Sequence, residues 1–346
     1  MKHLKQVAGV VVGMALASSV AAQSYPSKTV RIIVAYQAGQ GTDVATRYFA
    51  DQLGKALGQA FIIDNKPGAG GNIGTEAAAR AAPDGYTLTM GTNATHGVNQ
   101  FLYASTGYDA EKDFEPIILA GTLPMVISAN PASGFSSIAD IVTAAKTKPK
   151  SADIAMPSTT ARLVFEFLKE RSGAPLFGVP YKGSGTAMTE VMGGQIPLII
   201  DTVTASRPQI DGGKIKPIAV TSLKSTELLP GVKSVAEQGM PGFEVIAWNA
   251  LYAPKGTPPA IIKTLNAEMQ KILAQPETRQ KLLSLGYDPG GGTPEELAAL
   301  GRSERSKWGP LISAAGIKAE SAQRQVPRER GAPAWRRALV TTYGAQ

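Results

Sequence analysis

The sequence predicts an α/β protein built as two lobes, and three observations carry that expectation. A strand, a glycine turn and a helix follow one another from Val30 to Leu57. Short β-branched runs then keep alternating with helix-forming stretches, the pattern of sheets joined by crossover helices. Finally, Pro116 to Ala129 (PIILAGTLPMVISA) is an apolar run long enough to pass between two cores, and a chain of 346 residues can bury both.

In the opening unit, Val30, Ile32, Ile33 and Val34 are apolar and β-branched, which favours a strand. At Ala38-Gly39-Gln40-Gly41 two glycines let backbone N–H groups turn towards one point. Thr42 suits an N-cap, and Val44, Tyr48, Leu53 and Leu57 supply one apolar helix face. Donors thus gather at the positive end of a helix dipole, a place that binds anions. Phe61-Ile62-Ile63 reads as a second strand closing on Asn65-Lys66-Pro67, and Gly68 to Gly74 leads into an Ala-rich helix, Thr75 to Ala82. Pro83-Asp84-Gly85 stops it. Tyr86 to Met90 is a third strand, and Gly91 to His96 a polar loop at its carboxyl end, where α/β sheets place ligands. The loops at Gly39 and Thr92 are therefore expected to face one crevice.

Beyond the long apolar run, Phe135 to Lys146 reads as a helix begun at Ser136 or Ser137, and Ile154-Ala155-Met156 as a short strand. Pro157-Ser158-Thr159-Thr160 opens a helix through Leu168, repeating the first design with hydroxyls in place of glycines. Val179 to Gly185 leads into a helix ending at Gly193-Gly194. Ile196 to Ile200 is a strand with Asp201-Thr202-Val203-Thr204 at its end, and Ile215 to Ser222 is another, expected to make the return crossing. The strand FEVIAWNALYAP, with helices near Pro259–Ala274, Pro276–Leu285 and Pro294–Ala314, completes the first lobe. The expected division is 24–121 with 228–323 for the first lobe and 122–227 for the second.

Both ends differ from this body. Lys2, His3 and Lys5 precede an apolar stretch, Val7 to Leu16, and Val20-Ala21-Ala22 offers small residues for cleavage before Gln23. Residues 1–22 therefore have the layout of a secretory signal peptide, and the apolar stretch falls short of the ~20 residues of a membrane span. From Arg324 to Gln346, five arginines, two prolines and no apolar periodicity predict a disordered basic tail. Of 35 basic and 27 acidic residues, seven and one lie in these two ends. The body is nearly neutral, a poor partner for nucleic acid. The absence of cysteine excludes disulfides and thiolate chemistry.

Several motifs can be weighed directly. Gly68 to Gly74 spaces its glycines as G-x-G-G-x-x-G, which misses the dinucleotide pattern, and no P-loop Gly-Lys-Ser/Thr follows; a turn at the cleft rim is preferred. His96 is the only histidine beyond the leader, with no Gly-x-Ser-x-Gly elbow and no His-Glu metal spacing. Catalytic residues, metal and cofactor are accordingly all assigned as none. Thr95-His96 is the one pair left to the alternative function, a secreted α/β hydrolytic enzyme acting on a small carboxylate or ester. Asp43 suits the first helical turn of any helix, and would repel an anion unless paired or turned away. Asp43 or Asp201 could instead receive a ligand ammonium group, and Asp201 could cap the next turn. For Tyr181 and Lys182, ligand hydrogen bonding and lobe packing both stay open. Trp248 and Tyr252 read as core aromatics.

In their order, these segments resemble the extracytoplasmic solute receptors of the tripartite tricarboxylate transporter family, the Bug-type receptors. The resemblance rests on Ala38-Gly39-Gln40-Gly41-Thr42-Asp43, Asn65 to Gly74, Ala82 to Leu88, Val179 to Gly183, Ala253 to Pro258 and Gly292 to Glu296. It spans nearly all of Ser24 to Glu320. It implies a two-lobed periplasmic-binding-protein fold of type II, with mixed sheets flanked by helices and a ligand cleft between the lobes. It also implies a monomeric periplasmic receptor handing a small carboxylate to the membrane permease subunits of a tripartite transporter. A dicarboxylate, an aromatic carboxylate or an acidic amino acid would fit. In this family the first strand–helix turn and its second-lobe counterpart cradle one carboxylate; here these are Gly39, Gln40, Gly41, Thr42 and Asp43, and Ser158, Thr159 and Thr160. The third-strand loop adds Thr92, Asn93 and Thr95, and Tyr181 and Asp201 complete the expected set. Many relatives carry a Gly-Ser segment and then a histidine at the second-lobe helix start. This chain has Ser158-Thr159 and then Arg162, which could favour a second carboxylate if it points inward.

Overall fold

Residues 25–314 and 316–318 are described by a computed structural model, so the stretches expected as a signal peptide (1–22) and a basic tail (324–346) lie outside the described residues. The opening unit forms β1 (Val30–Val34) and α1 (Gly41–Leu57), followed by β2 (Phe61–Asn65), α2 (Asn72–Ala79) and β3 (Thr87–Thr92). β1 pairs in parallel with both β2 and β3. Its apolar residues are buried on both faces, as a parallel strand between helix layers requires. Ile32 and Val34 share a cluster with Phe49 and Leu53 of α1, whereas Ile33 packs with Ala78, Trp248 and Leu297.

The stretch expected as a loop at Gly91 to His96 is regular instead. β3 runs through Thr92, a π-helical turn covers Ala94–Val98, and α3 (Asn99–Leu102) follows, nearly all buried. The polar side chains are the reason: Thr92 N–H donates to Thr95 Oγ1 (3.0 Å) and Thr95 N–H to Thr92 Oγ1 (3.2 Å), so hydroxyls replace water around this backbone.

The long apolar run is β4 (Phe114–Ala129), 16 residues that serve two lobes. Next come α4 (Ile138–Thr147), β5 (Ile154–Met156), α5 (Thr159–Ser172), β6 (Gly178–Pro180), α6 (Ser184–Met192), β7 (Leu198–Thr202), α7 (Val203–Asp211) and β8 (Lys216–Val220). The chain ends with β9 (Ile246–Pro254), α8 (Pro259–Ala274), α9 (Pro276–Ser284), β10 (Asp288–Gly291) and α10 (Pro294–Ala314). The main strand order is β2-β1-β3-β9-β4-β7-β5-β6. The first half of β4 pairs antiparallel with β9 and β10; its second half pairs with β7 and β8. Parallel and antiparallel pairs thus mix in a two-lobed α/β fold joined through one strand. β8, expected as the return crossing, pairs with the far half of β4 and makes a further bridge from Val220 to Ser234. The chain comes back at β9, whose Ile246 stands opposite Pro124. The reason is local: Gln238 accepts from Ile138 N–H and donates to the Ile218 carbonyl, holding the segment after β8 against α4.

Candidate ligand site

Three helices begin at one point between the lobes: α1 from the first, α5 and α7 from the second. They enclose an inner chamber of about 30 Å³, lined by Gln40, Gly41 and Thr42 of α1, Ser158 and Thr160 of α5, and Asp201 and Thr202 before α7. Thr92, Asn93 and Asn249 close it from β3 and β9. One water needs about 10–15 Å³ by this measure, so the chamber holds about two or three waters, the size of a carboxylate group. Tyr36, Gln40 and Ser158 also face an outer cavity of about 640 Å³, which can take the remainder of a small acid.

The start of α1 differs from expectation in a useful way. Gln40, not Thr42, takes the N-cap position, and no side chain caps the helix. Gln40 Oε1 is occupied by Gln37 N–H (3.0 Å), and Thr42 Oγ1 accepts from Asn249 Nδ2 (3.1 Å). The uncapped turn leaves its donors to a ligand at the positive end of the dipole. α5, by contrast, is capped by Ser158, whose Oγ accepts from Ala161 N–H (3.1 Å). Gly41 has no room for a side chain: a Cβ there would lie 2.5 Å from Thr202 Oγ1. Thr160 Oγ1 donates to Asn93 Oδ1 (3.2 Å), a hydrogen bond from lobe to lobe.

The two acids behave differently. Asp43 lines neither chamber. It accepts from Arg47 Nε, Gly39 N–H and Asn65 Nδ2, each at 2.9 Å. Burial raises its pKa, but these partners outweigh burial and the net shift is downward. Gly39 and Asp43 thus shape the turn from behind. Thr95 also lies outside the lining, holding Thr92 and the ring of His96. Asp201 is 2% exposed and accepts from Thr202 N–H (2.8 Å) on Oδ1, while Oδ2 has no hydrogen-bond partner among the described residues. Burial pushes it up to about 6, against the Ser184 hydroxyl and the Thr202 N–H that favour its charge.

Thr159 and Tyr181 face the outer cavity, with Arg162, Glu166, Lys169 and Lys182. Tyr181 is already engaged: its hydroxyl donates to Glu190, and burial with that acid pushes it up to about 12. Arg162 stands 3.7 Å from Glu166, half-buried at the wall. Three cations against one acid leave this cavity electropositive. Tyr36 and Asn249 were not singled out from sequence. The signals were an aromatic just before the glycine turn and a lone amide inside an apolar strand.

The model of the tripartite tricarboxylate transporter family receptor matches residues 45–317. The chain belongs to this receptor family. Protein BugT of Bordetella pertussis (strain Tohama I) is 32% identical over 322 residues, covering 92% of this chain and 99% of its own. Among solved structures, Rpa4515 of R. palustris with adipate has a TM-score of 0.82 at 33% identity, covering 85% of this chain and 99% of that one. MatC of Rhodopseudomonas palustris with bound malate has a TM-score of 0.77 at 30% identity, covering 83% and 100%. This Bug-type protein is thus a solute-binding receptor of a periplasmic family that works with transporter membrane subunits, and not an enzyme. The one histidine described suits that conclusion. His96 is 1% exposed, stacks on Tyr252 at 4.1 Å, and is pushed down to about 3 by burial with help from Arg305, so it stays neutral. It is part of the core.

Proposed function

We propose that this receptor binds a small dicarboxylate, one acid group in the inner chamber and the other beside Arg162 in the outer cavity. The observation that carries the reading is the place of Arg162 on the outer wall, with Lys169 and Lys182 nearby. A guanidinium fork offers paired donors to a carboxylate. Between the two ends, Met156, Phe165 and Phe177 provide apolar wall for a methylene chain. Malate and adipate, bound by two of the structural neighbours, have this form. The acid is captured in the periplasm by a monomer and handed to the permease subunits. The lobes are 24–121 with 228–323 and 122–227; the Gln238 bonds to Ile138 and Ile218 favour moving the second boundary up to β9.

Calorimetric titration of the chain from Gln23 with malate, adipate and a monocarboxylate such as butyrate tests the reading. A hydrogen bond to a charged group contributes about 1.5–3 kcal/mol, so Arg162→Gln should weaken dicarboxylate binding about ten- to a hundred-fold. Monocarboxylate affinity should stay within about two-fold, since that ligand has no group to place at Arg162. Equal loss for both classes would remove Arg162 from recognition.

A further inference from the structure

The inner chamber contains an acid that the carboxylate reading does not use. Asp201 ends β7 and lines the chamber, yet its Oδ2 has no hydrogen-bond partner among the described residues. Ser184 Oγ of α6 is likewise buried without a hydrogen-bond partner, although it lies near enough to Asp201 to favour its charge. The β1–α1 turn, β3, β4, the start of α5, β7 and β9 all face this space. Of the side chains lining it, Tyr36 is the other one that titrates, and burial pushes it up to about 12, so it stays neutral. On the next element, α7, Arg207 is turned to Asp211 and the Leu228 carbonyl. Among the described residues no cation lines the chamber beside Asp201.

We propose that Asp201 takes up a proton from solvent as the acid binds, and that its new O–H donates to a ligand carboxylate oxygen. The inference rests on the carboxylate reading of the inner chamber. A space of about 30 Å³ brings any ligand carboxylate against Asp201, and two carboxylates sharing one site cannot both stay ionised. The helix starts of α1, α5 and α7 favour one negative charge between them. Asp201 supplies that charge in the empty protein, and the ligand replaces it. Burial has already pushed Asp201 up to about 6, so little further bias protonates it at neutral pH.

The test is titration calorimetry of the chain from Gln23 to Gln346 with malate and with adipate, in paired buffers of different ionisation heat from pH 6.5 to 8.5. The expected result is uptake of close to one proton at pH 8 and affinity falling about ten-fold per pH unit above pH 7. Asp201→Asn keeps the acceptor for Thr202 and offers an N–H in place of the O–H. It should bind both acids independently of pH, about ten-fold or more tighter than wild type at pH 8. Flat affinity without proton uptake overturns the proposal. So does tight binding of aspartate without proton uptake that Asp201→Asn abolishes, which would assign Asp201 to an ammonium group. If the variant does not fold, the wild-type proton count decides by itself. No binding of either acid at pH 6.5 would strike the carboxylate reading itself, and the proposal with it.

Discussion

At the residue scale, an acid in the first turn of a helix proposed to bind an anion must be neutralised, and Arg47, Gly39 and Asn65 do this for Asp43. Its three charge-assisted bonds hold the glycine turn in shape without entering the chamber. Asp43→Ala should therefore lower the stability of the ligand-free protein by about 1.5–3 kcal/mol at pH 7, seen as a lower melting temperature. The sign of its pH dependence follows from the downward shift. A carboxyl held below its ordinary 3.8 stabilises the fold at pH values above that, and the contribution is lost as pH falls through the lowered folded value. The gap in melting temperature between wild type and Asp43→Ala should shrink below pH 4. A gap that grows on acidification would mean the carboxylate is not held by these partners.

At the element scale, the start of α5 presents two adjacent threonines to two different spaces. Thr160 enters the inner chamber and bonds Asn93 across the lobes, while Thr159 faces the outer cavity. Successive residues on a helix point about 100° apart, which lets these two neighbours face different spaces. Thr160→Val removes the lobe-to-lobe bond and leaves Asn93 Oδ1 without its donor at the chamber wall, and should weaken malate and butyrate alike by about ten-fold or more. Thr159→Val should leave butyrate within about two-fold, as its hydroxyl lies beyond a monocarboxylate's reach. Calorimetry on the two variants checks the order; Thr159→Val as the more damaging change would reverse the assignment of the chambers.

At the scale of the whole molecule, β4 belongs to both lobes, pairing β9 and β10 with one half and β7 and β8 with the other. Neither lobe can unfold without stripping partners from the other, so differential scanning calorimetry should show one transition. Malate at a hundred times its dissociation constant should add about 2.7 kcal/mol and move that transition up as a whole. Two separated transitions, only one shifted by ligand, would show that the shared strand does not couple the lobes. Much of this architecture is legible in sequence. Strand, glycine turn and helix are written in adjacent residues, as are the apolar run of β4 and the hydroxyls that open α5, because these patterns act through local backbone preferences. The segments that mark the receptor family are equally local. What only the tertiary structure decided is which polar groups meet. Asn249 reaches Thr42 across 207 positions of chain, and Asn65 reaches Asp43 across 22. Asp43 and Asp201 look alike in sequence, each an acid where a strand gives way to a helix. One finds a guanidinium and two amides within reach, and the other ends in a buried chamber without a counter-charge. Gly39 and Arg47 stand four residues either side of Asp43 and are written locally, whereas Asn65, and the absence of a cation beside Asp201 among the described residues, are decided by elements distant in the chain.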